Sequence, residues 1–269
     1  MQINQLSYAY QDKQVLDNLT YDFNCSHTVG LLGRNGSGKT TLLRILNGLL
    51  PVKKGMLRVN DHPLSYSRKS LRAHHLRFAM VFQDPQQQLF YATVEDDIAF
   101  ALKNIKLPET EITRRVEWVL DVLQIRDLRK APIQSLSFGQ KKRVAIAGVL
   151  VMQTDYLLLD EPTAGLDPQG RRAMIETINK VSDEGVKLVI SSHDMDFVYE
   201  ICQQFLVLDK GKIVLQGNRQ QVFQQAEQLE DVGLEQPWTV RVQQAFHKPE
   251  SINEMEARNL LTTQALTKK

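Results

Sequence analysis

The sequence predicts an α/β fold: a mostly parallel sheet core, an antiparallel β subdomain, an inserted helical subdomain and a short helical C-terminal extension. Three observations predict it. Short apolar runs (TVGLLG, FAMVFQ, YLLLD, KLVISS) alternate with segments of helical period, which implies parallel strands covered on both faces. The first two dozen residues instead alternate apolar with polar at period two. From Glu95 to Leu150 the chain is mostly helical in period, with Pro108 and Pro132 as breaks.

Taken in order, INQLSYAY and VLDNLTYDF read as two strands joined through the turn-rich QDK. TVGLLG is a short buried strand that runs into a glycine-rich loop and then the helix TTLLRILNGLL, stopped by Pro51. MLRVN is a further strand, and after a basic stretch FAMVFQ is a buried strand ending in Gln83. Beyond the helical insert come the strand YLLLD, the helix RRAMIETINKVSDEG and the strand KLVISS. FLVLDKGKIVLQG then reads as a hairpin around Lys210-Gly211. From Asn218 the chain is glutamine-rich and polar, with weak helical segments broken by Pro237 and Pro249. Ser251 with Glu254 fits a capping box opening a last helix. The expected division is a cassette over residues 1–217, with its helical subdomain at about 95–150, and an extension over 218–269.

The 269 residues suffice for a sizeable core, and 42% apolar with 24% charged residues is an ordinary globular composition. Thirty-three basic against thirty-one acidic residues give a net charge of +2, so charge nominates neither nucleic acid nor anionic lipid as partner. Cys25 and Cys202 lie outside any CxxC spacing and read as reduced, buried thiols. The amino terminus lacks the pattern of a signal peptide, and the longest apolar run, Val144 to Met152, is too short to span a bilayer. The expectation is a cytoplasmic chain to which other subunits supply any pore. Neither His74-His75 nor the run His193-Asp194-Met195-Asp196 has the ligand spacing of a closed transition-metal site.

Gly33-Arg34-Asn35-Gly36-Ser37-Gly38-Lys39-Thr40 matches GxxxxGK[ST] between a strand and a helix, the context that its chemistry requires. Glycines allow the loop to wrap so that backbone N–H groups face a phosphate, and the helix N-terminus adds positive potential. Asn35, Gly36, Ser37, Gly38, Lys39, Thr40 and Thr41 are therefore candidate nucleotide-binding residues. Lys39 reaches the β- and γ-phosphates and Thr40 offers its hydroxyl to Mg²⁺. YLLLD-Glu161 delivers two carboxylates at the end of an apolar strand. Asp160 is placed to hold Mg²⁺ and Glu161 to polarise an attacking water. Asn179-Lys180-Val181-Ser182-Asp183 carries its Asp one position late for a guanine-reading motif, so ATP is the expected nucleotide.

Leu136-Ser137-Phe138-Gly139-Gln140 before a helix resembles the LSGGQ signature of ABC ATPases, with Phe138 replacing the third-position glycine. The fold this resemblance implies is a P-loop NTPase of the ABC type, in which Ser137, Gly139 and Gln140 clasp the ATP bound to a second subunit. It further implies that Tyr10 stacks on adenine, with Tyr8 as a competitor, and that Gln83 touches Mg²⁺ and the attacking water. Ala164-Gly165-Leu166-Asp167 resembles the D-loop crossing the dimer interface, and His193 resembles the switch histidine at the γ-phosphate.

The stretch QDPQQQLF followed by ATVEDDIAF, together with LSFGQKKRVAIAG, is similar to the energy-coupling-factor importers of cobalt or nickel type. That resemblance implies a peripheral subunit on the cytoplasmic face of the membrane, with a second ATPase subunit, a transmembrane scaffold and a substrate-capturing membrane protein as partners. A vitamin importer of the same kind is the neighbouring reading. A soluble ABC ATPase acting on DNA or ribosomes is a third, although the long coiled-coil insert, zinc module or tandem cassette usual in such proteins is not visible.

Overall fold

In the computed structural model, residues 1–246 and 255–260 are described. The chain opens with β1 (Gln2–Tyr10), β2 (Lys13–Asp22), β3 (Thr28–Leu32) and α1 (Lys39–Asn47). It continues through β4 (Lys54–Val59), β5 (His62–Pro63), α2 (Arg68–Arg77) and β6 (Phe78–Val81). Three helices follow, α3 (Val94–Asn104), α4 (Glu109–Val122) and α5 (Phe138–Leu150). Then come β7 (Tyr156–Asp160), α6 (Pro168–Asp183), β8 (Lys187–Ser192), α7 (Met195–Ile201), β9 (Gln204–Asp209) and β10 (Lys212–Asn218). The last named elements are α8 (Arg219–Phe223), α9 (Ala226–Asp231) and α10 (Trp238–Ala245).

The six-stranded sheet has the order β10-β9-β3-β8-β7-β6. It is parallel from β9 to β6, with β10 antiparallel at its edge. A separate antiparallel sheet has the order β2-β1-β4-β5. The parallel strands are apolar throughout because alternate residues enter two different cores. Leu157 and Leu159 of β7 join the core against the helices α3 to α7, while Tyr156 and Leu158 join the core that α1 fills between the two sheets.

Of the boundaries that differ from the sequence reading, two show a local physical cause. The helix after the glycine-rich loop ends at Gly48 rather than at Pro51. Gly48 has φ +83°, and its N–H caps the carbonyls of Arg44 and Ile45, a left-handed C-cap that stops a helix before any proline is reached. The FAMVFQ strand ends at Val81, not Gln83. There the Gln88 side chain replaces a neighbouring strand, accepting from Phe82 N–H and donating to Met80 C=O, each at 2.8 Å.

The basic stretch before β6 is the helix α2, capped by Ser67. Lys210 and Gly211 both have positive φ, as a two-residue hairpin between right-twisted strands requires. Cys202 is buried but Cys25 is exposed, its sulfur 3.3 Å from the Tyr21 hydroxyl, which corrects the expectation that both thiols are buried. His74 is a core residue, its Nε2 2.9 Å from Leu46 C=O and its ring stacked on Phe78. Among the described residues no group of His, Cys, Asp and Glu has the arrangement of a metal site. Pro237 caps α10, and residues 255–260 are helical. Pro249 and the Ser251–Glu254 capping box lie outside the described residues.

Candidate nucleotide site

Parallel strands end together, and here four loops meet at the C-terminal ends of β3, β6, β7 and β8, the edge where open α/β sheets bind ligands. The loop after β3 turns into α1 through Gly33, Gly36 and Gly38, all at positive φ. At Gly33 a Cβ would lie 2.4 Å from Leu208 C=O and 2.5 Å from Ser37 Oγ. At Gly38 it would lie 2.6 Å from Leu16. The loop is thus pressed against both sheets and leaves no room for a side chain there.

Lys39 is buried and donates to the carbonyls of Gly33 and Arg34, at 2.7 and 3.2 Å. Burial pushes its ammonium below the ordinary lysine range, opposed by the charges of Glu161 and Asp160. Its Nζ is 3.7 Å from Glu161 Oε1, an ion-pair distance too long for a hydrogen bond. Thr40 Oγ1 donates to Asp160 Oδ2 at 2.8 Å, while Ser191 Oγ donates to Asp160 Oδ1.

Glu161 follows β7 at φ +48°, a left-handed conformation unusual for a residue with a side chain. Its N–H donates to Ser191 C=O at 3.0 Å. Its carboxylate Oε2 lies 2.8 Å from His193 Nδ1 and accepts from Ser192 Oγ at 3.3 Å. The other oxygen, Oε1, is buried without a hydrogen-bond donor among the described residues, as is Ser37 Oγ. Buried polar atoms rarely go unpartnered, and these two border the space that a phosphate chain and its attacking water need. The oxygens of Thr40 and Asp160 also fit a hard divalent cation such as Mg²⁺.

A cavity of about 330 Å³ lies beside Thr40 and Asp160, lined also by Arg44, Gln83, Ala164 and Gly165. Gln83 is therefore brought to the Asp160 side of the site, on an exposed loop. Asn35 and Gly36 are exposed on the loop's outer face, and Asn35 lines a second cavity with His193. Thr41 is buried in the first turn of α1.

Not every candidate converges. Ser137, Gly139 and Gln140 line a separate cleft of about 390 Å³ with Gly165, Leu166 and Asp167. Ser137 caps α5 there, its Oγ accepting from Gln140 N–H while the Gln140 side chain accepts from Ser137 N–H. Tyr10 is 40% exposed at the end of β1, edge-on to the buried Tyr8.

Three residues that the motif reading passed over hold the Asp160-Glu161 strand end in place, two through the carboxylates and one through the backbone. Ser191 and Ser192 do so from the end of β8, where a strand closing on two buried serines is the only sequence signal. The third is Lys142, whose Nζ donates to the carbonyls of Glu161 and Pro162, both at 2.9 Å. It is 2% exposed, and burial pushes its ammonium down to about 8. A basic run, KKR, gives no hint of which lysine turns inward.

A phosphate loop and two acidic residues on the rim of a parallel sheet define a P-loop ATPase. The ABC transporter family matches residues 16–164, and this chain belongs to that family. It is 49% identical over 239 residues to the cobalt import ATP-binding protein CbiO of Salmonella typhi, covering 89% of this chain and 88% of that protein. Over 239 residues it is 40% identical to the energy-coupling factor transporter ATP-binding protein EcfA2 of Clostridium perfringens, covering 88% and 84%. The solved structure of cbiO1 from Clostridium perfringens, part of the ABC transporter complex cbiONQ, superposes with a TM-score of 0.79 at 40% identity. That match covers 86% of this chain and 93% of the other.

Proposed function

We propose that this chain is the ATP-hydrolysing subunit of an energy-coupling-factor importer for cobalt or nickel ions, acting as one of a pair on the cytoplasmic face of the membrane. The observation that carries the hydrolytic part is the meeting of Lys39, Thr40, Asp160, Glu161 and His193 from three loops on one rim. The importer part rests on the names of the relatives, several of which are cobalt-import and energy-coupling-factor ATPases.

Lys39 and the backbone of residues 34–38 bind and orient the phosphates. Thr40, Asp160 and Gln83 would hold Mg²⁺, which offsets phosphate charge. Glu161 accepts the proton of the attacking water on Oε1, its other oxygen being fixed by His193 and Ser192. His193 faces the γ-phosphate, and Tyr10 stacks on adenine. Ser137, Gly139 and Gln140, in their separate cleft, reach the nucleotide of the second ATPase subunit, so that each pocket joins the Lys39 loop of one chain to the signature of the other. Residues 1–217 form the cassette and residues 218–269 an extension used in dimer contact. Among the described residues no helix is long and apolar enough to cross a membrane. The scaffold and the substrate-capturing protein carry the solute.

Two measurements test this. Glu161→Gln is expected to stop phosphate release while trapping an ATP-bound dimer visible by size-exclusion chromatography. Normal turnover in that variant removes Glu161 as the base. Mass spectrometry of proteins co-purifying from detergent-solubilised membranes is expected to find transmembrane subunits. Recovery of only ribosomal or DNA-repair proteins overturns the importer reading.

A further inference from the structure

Lys142 has no part in the nucleotide chemistry above, yet it is among the largest fully buried side chains in the protein. Taking an ammonium out of water costs several kcal/mol unless its protons find strong acceptors. Here they find two successive carbonyls, those of Glu161 and Pro162, and its Nζ sits 5.2 Å from the centre of the Phe138 ring. Phe138 is four residues earlier on α5, on the same helical face. Phe138 also lies beside the D-loop segment, lining the same two clefts as Gly165.

These contacts complete a clamp on one residue. The N–H of Glu161 is held by Ser191, its carboxylate by His193, and its carbonyl by Lys142. Glu161 needs such a clamp because φ +48° is strained for a residue with a Cβ. Ser191 and His193 come from the end of β8, inside the sheet layer. Lys142 comes from α5, whose first turn presents Ser137 and Gly139.

We propose that Lys142 is a positioning residue that fixes the Glu161 carbonyl to the signature helix, so that the hydrolytic geometry of one nucleotide site depends on the placement of that helix. The inference rests on Glu161 being the base. A shift of α5 pulls directly on ψ of Glu161, and the helix N-terminus and the carboxylate loop move as one piece.

The test uses the full-length chain with MgATP. Lys142→Met keeps the stem and removes the donor, and is expected to lower kcat about 10- to 100-fold while MgATP affinity changes less than about twofold. Lys142→Arg, which keeps a donor, is expected to recover most of the lost kcat. In a Glu161→Gln background Lys142→Met is expected to leave the residual rate unchanged, as residues acting through one group are non-additive. Should Lys142→Met fail to fold, Lys142→Gln is read for the same split between kcat and affinity. A kcat within twofold of wild type overturns the proposal, as does a fall in kcat matched by a fall in affinity. Normal turnover of Glu161→Gln alone would instead sink the assignment of the base, a separately readable result.

Discussion

At the rim of the parallel sheet, Asp160 and Glu161 are buried among hydroxyls, a histidine and one lysine at ion-pair distance. On the helical segment the carboxylates Glu95, Glu111, Glu117 and Asp121 are instead covered by arginines. Arg129 bridges Glu95 and Glu117, Arg126 bridges Glu117 and Asp121, and Arg114 and Arg115 share Glu111. Both regions pair acids with bases, but the surface carboxylates meet arginines, whereas Asp160 and Glu161 meet mostly hydroxyls and a histidine. Glu161 Oε1 is left without a donor where donors are within reach. An arginine-covered acid stabilises a surface modestly, whereas a buried carboxylate oxygen without a donor has room for a ligand to meet it.

The largest expected effect tests the rim. Glu161→Gln should lower turnover by about a thousandfold in a phosphate-release assay, the middle of the range for losing a general base. Next is Gly33→Ala, where Cβ would collide with Leu208 C=O and Ser37 Oγ at φ +148°. A loss of about 3 kcal/mol in urea unfolding is expected, with ATP binding lost as well, since the loop must move.

On the helical segment the effects shrink. Arg129 and Lys130 hydrogen-bond the Glu95 carboxylate and hold it down to about 2. Because this folded-state value lies below the unfolded one, the stability it contributes is full above about pH 4.5 and is lost as pH falls towards 2. Glu95→Gln should therefore cost about 1 kcal/mol at pH 7 for a partly exposed network. The difference from wild type should shrink to a small fraction of that in unfolding curves taken near pH 2. The smallest effect is that of Arg126→Ala, on the most solvent-exposed part of the network, which should leave the melting temperature unchanged within measurement scatter. A large shift there would show that the surface network carries as much as the rim and would break the contrast.

Much of the fold was legible because its local signals agree. Apolar runs gave the strands of the parallel sheet apart from the C-terminal end of β6, and the Lys210-Gly211 turn marked the last hairpin. Gly33 to Thr40 and the pair Asp160-Glu161 stood out because phosphate binding needs small residues, a lysine and carboxylates at set spacings. The β6 boundary was not legible because the Gln88 side chain imitates a strand from seven residues beyond Val81. The end of α1 was missed because a glycine cap acts before a proline.

The sequence by itself determined the phosphate loop, the acidic strand end, the order of elements and the signature, since each depends on residues close along the chain. Only the tertiary structure decided which oxygen of Glu161 is held and which is left open. It also decided that Thr40 meets Asp160 across 120 residues, and that Lys142, rather than Lys141 or Arg143, turns inward to grip the Glu161 loop. Those outcomes depend on where α5 lies over the sheet rim, and that is set by the burial of α3, α4 and α5 in one apolar core, to which every helix contributes and which no single segment specifies.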